Sequence, residues 1–71
     1  MKRHQILGTI AREAQGQGKT WKQERQGANH EIWRCGSIEL PIPRHAEIGN
    51  RMAEMMFKEL EGELGKDWWR R

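Results

Sequence analysis

The sequence has one cysteine, two prolines and no apolar run longer than three residues, and each scarcity excludes something. A lone Cys35 cannot close an internal disulfide, which fits a reducing compartment better than a disulfide-stapled secreted domain. The longest apolar run, Met55-Met56-Phe57, falls far short of the ~20 residues that a membrane-spanning helix needs. The basic start, Met1-Lys2-Arg3-His4-Gln5, precedes Ile6-Leu7-Gly8-Thr9-Ile10-Ala11, a stretch too short and too polar for a secretory signal core. A cytoplasmic protein with no membrane partner is therefore expected. Length is also scarce. Seventy-one residues make one domain, and a chain of this size buries only about 60% of its unfolded surface. Large clefts and dinucleotide-binding units are excluded on volume.

What is present is charge and helical periodicity. The net charge is +3, but it is unevenly placed. Residues 1–35 hold seven basic and three acidic groups, a balance of +4, whereas residues 36–71 hold six and seven, a balance of −1. A basic first half suggests a surface that faces a polyanion.

In the first segment, Lys2 to about Gln15, the residues Ile6, Leu7, Ile10, Ala11 and Ala14 form one apolar stripe of an amphipathic helix. Gly16-Gln17-Gly18 stops it. Thr20 to Arg25 reads as an edge strand, Gly27-Ala28-Asn29 as a turn, and His30 to Cys35 as a second strand. Gly36-Ser37 is a second turn, and Ile38-Glu39-Leu40-Pro41-Ile42 alternates as a third strand, with Pro41 marking an edge. The loop Pro43-Arg44-His45-Ala46 leads to a predicted helix over Glu47 to Leu64, on which Ile48, Met52, Met55, Met56, Leu60 and Leu64 are expected to pack. Gly65 ends it, leaving a tail that finishes in Trp68-Trp69-Arg70-Arg71. The expected fold is a two-layer α+β domain of order α-β-β-β-α, with two helices on one face of a three-stranded antiparallel sheet. Its core spans about residues 2–64, and its open sheet face can hold Trp33 with Arg25 or Lys22, the register deciding which.

Few groups in this chain suit chemistry. Histidine ordinarily titrates near neutrality, and there are three: His4, His30 and His45. His4 sits beside Lys2 and Arg3 in the first helical turn and reads as surface. His30 opens the central strand directly after a turn, which puts a proton-transfer group at the sheet rim. An ordinary strand-edge histidine fits the same position. His45 stands beside Arg44 in a proline-bounded loop that serves equally well as a rigid hinge. Metal ligation has no support, because His30, Cys35 and His45 lack paired ligand spacing. There is no nucleophile motif with its base and no phosphate-cradling glycine loop. The tryptophan tail either stacks on nucleobases or folds back on the core or a partner.

Gly27-Ala28-Asn29-His30 before a strand, followed by Leu40-Pro41-Ile42-Pro43-Arg44-His45 before a closing helix, resembles the HicA family of toxin endoribonucleases. The similarity runs from Lys2 to about Leu64. Ala28 and Asn29 stand where family members more often carry serine. The resemblance implies a double-stranded-RNA-binding-domain-like fold, cleavage of mRNA without cofactor or metal, and neutralisation by a HicB-like antitoxin, with a homodimer as one assembly within the complex. It places the catalytic histidine at His30. Lys22, Arg25, Arg34, Arg44 and His45 are the candidate RNA contacts around it. Two other readings stay open on the sequence. One is a non-catalytic module that binds double-stranded RNA by shape and phosphate contacts. The other is a partner-binding protein anchored by Trp33, Trp68 and Trp69.

Overall fold

The computed structural model describes residues 1–27 and 29–70; Ala28 of the predicted turn and Arg71 of the tail lie outside the described residues. Helix α1 (Arg3–Gly16) buries Ile6, Ile10 and Ala14, the spine of the predicted stripe. Strands β1 (Trp21–Gln26), β2 (His30–Cys35) and β3 (Ile38–Pro43) form an antiparallel sheet in the order β1-β2-β3. Helix α2 (Asn50–Glu59), a single helical turn α3 (Glu61–Leu64) and a 3-10 turn (Trp68–Arg70) complete the chain. The architecture is α+β in the expected order.

Strand alternation decides which residues meet the helices. Trp33 pairs with Leu40 and Cys35 with Ile38, and Leu40, Ile42 and Cys35 are buried with Ile6, Ile10, Phe57 and Leu60 in one core. Trp33 therefore lies on the helix-covered face, where it stacks on Trp21 with ring centroids 4.8 Å apart. Of the two faces that the register left open for Trp33, this one is the covered face, not the open one. The physical reason is parity: Trp33 shares its side of β2 with the buried Cys35 and cannot face the other way. The charged residues of β1 would have the opposite problem. A register shift between Gln23 and Arg25 inserts Glu24 as a bulge, which moves Arg25 from the covered side to the open side, opposite Ile32. Without it a guanidinium would point at the apolar layer.

The predicted closing helix starts later and is interrupted. Glu47 forms an isolated bridge with Lys2, and its carboxylate lies 2.9 Å from Lys2 Nζ, so the first helical residue is Asn50. At Leu60 the backbone leaves helical geometry (φ −94°, ψ 4°). There the Phe57 carbonyl, which would accept from Glu61 in a continuous helix, accepts instead from the Leu60 N–H at 3.1 Å and from the Trp68 indole N–H at 2.8 Å. The break admits Trp68 to the core, where it is 2% exposed. Met52 and Met55 correct another expectation: they are 50% and 61% exposed, and only Met56 of the three packs inside.

The β2–β3 turn is docked onto α3. Gly36 has φ +58°, and a Cβ there would stand 2.2 Å from a Glu63 carboxylate oxygen. That carboxylate accepts from the Ser37 hydroxyl at 2.7 Å and pairs with Lys19 at 3.3 Å. Gly36→Ala therefore strains the backbone and pushes Glu63 off both partners. We expect a loss of about 1–3 kcal/mol, read by denaturant unfolding. Unchanged stability would show that Glu63 swings away freely.

Candidate functional site at the His30 end of the sheet

His30 opens β2 opposite Pro43, and its side chain is exposed. Three features build its surroundings. The first is the hairpin turn before it, closed by the Gly27 N–H donating to the His30 carbonyl at 2.8 Å. A Cβ on Gly27 would meet that carbonyl oxygen at 3.1 Å, so a side chain there would open the closure. The second is Arg44, whose guanidinium donates to the Gly27 carbonyl at 2.8 Å and to Gln26 Oε1 at 3.3 Å. Both acceptors are neutral, so the cation is fixed in place with no carboxylate ion pair among the described residues, while the Glu31 carboxylate lies within its electrostatic reach.

The third feature lies on the covered side. Arg3, in the first turn of α1, donates from Nε to the Pro43 carbonyl at 2.9 Å and from Nη2 to Glu31 at 2.6 Å. The Trp33 indole N–H donates to the same Glu31 oxygen at 3.0 Å. The indole hydrogen bond, then the Arg3 pair, holds the Glu31 carboxyl below its ordinary value of 4.5. This network staples α1 to the end of the sheet directly beneath His30. Neither Arg3 nor Glu31 was a sequence candidate, since nothing in a separation of 28 residues marks them as partners. A carboxylate with a depressed pKa contributes stability above its unfolded value, and that contribution is lost as pH falls through the folded value. Wild-type protein should therefore lose thermal stability on acidification below 4.5 more steeply than Glu31→Gln. Parallel acid limbs in melting curves would remove Glu31 from the account.

The other expected RNA contacts are placed differently. Arg34 is gripped by Glu24 at 2.6 Å and Glu39 at 2.8 Å, and Arg25 reaches Glu39 at 3.3 Å. The hydrogen bond from Arg34 lowers the Glu24 pKa, and the same bond raises that of Arg34. Lys22 shares this face and forms no ion pair among the described residues. The open face thus carries three cations against two carboxylates, a balance of +1, and it presents no tryptophan. His45 is exposed on the β3–α2 loop and makes no side-chain hydrogen bond among the described residues. The structure brings His30, Arg44, Gly27 and Gln26 together, and leaves Lys22, Arg25 and Arg34 as a separate group further along the sheet.

Beside His30 an open groove of about 380 Å³ runs between the free edge of β3 and α2, lined by Leu40, Pro41, Pro43, Met52, Met55, Met56 and Glu59. Among the described residues no group of three or more His, Cys, Asp or Glu is placed to hold a metal ion. Cys35 is buried, and burial pushes its thiol pKa up, which removes it as a nucleophile. No described helix is long and apolar enough to cross a membrane. No protein-family model, no curated protein and no solved structure matches the chain.

Proposed function

We propose that this chain is a metal-independent endoribonuclease of the HicA type, acting on mRNA in the cytoplasm and restrained by a HicB-like antitoxin. The observation that supports it most is an exposed histidine opening a strand at the sheet rim, with a guanidinium fastened to Gly27 in the turn before it. Metal-free RNA cleavage needs a base at the 2′-OH, positive charge on the developing phosphorane, and a proton for the 5′-oxygen. His30 takes the 2′-OH proton, the 2′-oxygen attacks phosphorus, and the P–O5′ bond breaks as the 5′-oxygen takes that proton from His30, which serves as both base and acid. Arg44 is the cation best placed to meet the phosphate. Lys22 and the ion-paired Arg25 and Arg34 then follow the backbone away from the cut.

The products are a 2′,3′-cyclic phosphate and a 5′-hydroxyl. The test is incubation of purified protein with single-stranded RNA in the presence of a chelator, with end-group analysis of the fragments. Cyclic-phosphate ends support the reading. RNA that is bound yet intact after long incubation would replace it with a non-catalytic RNA-binding module. The third sequence reading loses one of its anchors, because Trp68 is buried, while Trp33 is only partly buried.

A further inference from the structure

We propose that the methionine seam of α2 is a self-association surface, on which a second copy of this chain packs antiparallel about a two-fold axis at Met55. Met52 and Met55 are the large apolar side chains left exposed among the described residues. They flank the groove along β3. Unbranched thioether side chains adapt readily to a partner's surface.

The free edge of β3 cannot supply the contact. Proline is tolerated in a sheet where its missing N–H faces away from the neighbouring strand. Pro41 and Pro43 occupy alternate positions of β3, so they strip donors from the outer edge, and β2 already covers the inner one. A second chain must therefore dock through side chains, and α2 is the element that offers them.

Charge chooses both the partner and the direction. Arg51 and Glu59 are exposed, and neither forms an ion pair among the described residues. Glu54, by contrast, is already held by Arg70 at 3.1 Å. Arg51 and Glu59 stand four residues before and after Met55, about 6 Å along the axis on either side. Antiparallel packing centred on Met55 sets Arg51 of each copy against Glu59 of the other. Parallel packing would set like charge against like. A two-fold interface uses one patch twice and must be complementary to itself; the two Arg51–Glu59 pairs meet that requirement, and the exposed Lys58 on the Arg51 flank is the like charge they outweigh. The proposal rests on α2 alone and stands apart from the ribonuclease reading.

Sedimentation velocity on the full chain over a dilution series tests it. Wild type should dissociate on dilution, and Arg51→Glu and Glu59→Arg should each weaken association by ~10-fold. An equimolar mixture of the two variants should recover it, because each then meets its opposite charge on both sides of the seam. Recovery also requires that both variants be folded, so it separates a lost contact from a lost fold. A wild type that stays monomeric at every concentration overturns the proposal. So does a dimer indifferent to both substitutions, or a mixture that fails to recover.

Discussion

His30→Ala is expected to abolish RNA cleavage while leaving the fold and RNA binding in place. The imidazole is exposed, and it makes no side-chain hydrogen bond among the described residues. The pairing of residue 30 with Pro43 belongs to the backbone and survives truncation. Exposed substitutions of this kind usually change stability by no more than about 0.5 kcal/mol. A positioned acid–base group contributes ~10²–10⁴-fold to rate. The expected result is a loss of at least ~10²-fold in cleavage, with the melting temperature and the RNA affinity close to wild type. Cleavage at the wild-type rate would sink the assignment of His30. Cleavage and binding lost together would instead assign the residue to contact with RNA.

Much of this geometry was legible before the structure, and the part that was not has a common cause. Glycine stops and apolar period placed α1, the three strands and both turns, because these signals are local. The face occupied by Trp33 was not local. It depends on β2 presenting Cys35 inward, and each parity of His30 to Cys35 mixes apolar with polar: Ile32 with His30 and Arg34, or Trp33 and Cys35 with Glu31. The bulge at Glu24 was invisible for the same reason: it exists to reconcile Arg25 with a pairing partner found only in space. At the site, the turn and the loop carrying Arg44 were both marked in the sequence, whereas the bond between Arg44 and the Gly27 carbonyl joins segments 17 residues apart. The Arg3–Glu31–Trp33 network has no sequence signature at all. The methionines erred through periodicity. Met52 and Met55 sit beside the core stripe of Ala53, Met56 and Phe57, close enough in phase to look buried, yet the short helix turns them past the edge of β3.

Trp68→Ala should cost more stability than any surface change in the molecule. A simple count of apolar period ends the domain near Leu64, and leaves the tryptophan tail either to stack on nucleobases or to fold back on the core or a partner. Trp68 is nevertheless 2% exposed, sits edge-on to Phe57 with centroids 5.2 Å apart, and donates its indole N–H to the Phe57 carbonyl. Truncating a buried Trp typically costs about 3–5 kcal/mol, and a chain of this length has roughly 4–10 kcal/mol in total. The variant is therefore expected near the limit of folding at ambient temperature, read by urea unfolding of the full chain. Trp68→Phe separates the two contributions. It keeps most of the ring but loses the donor, while the Leu60 N–H still serves the Phe57 carbonyl, so its loss should be less than half that of the alanine variant. Trp69→Ala provides the comparison. That ring is only partly buried, with Arg70 over it at 5.5 Å, and its removal should cost well under the Trp68 figure. Equal losses at 68 and 69 would mean that the tail acts as a loose apolar cover. A loss confined to Trp68 would make it the residue that breaks the last helix and closes the core.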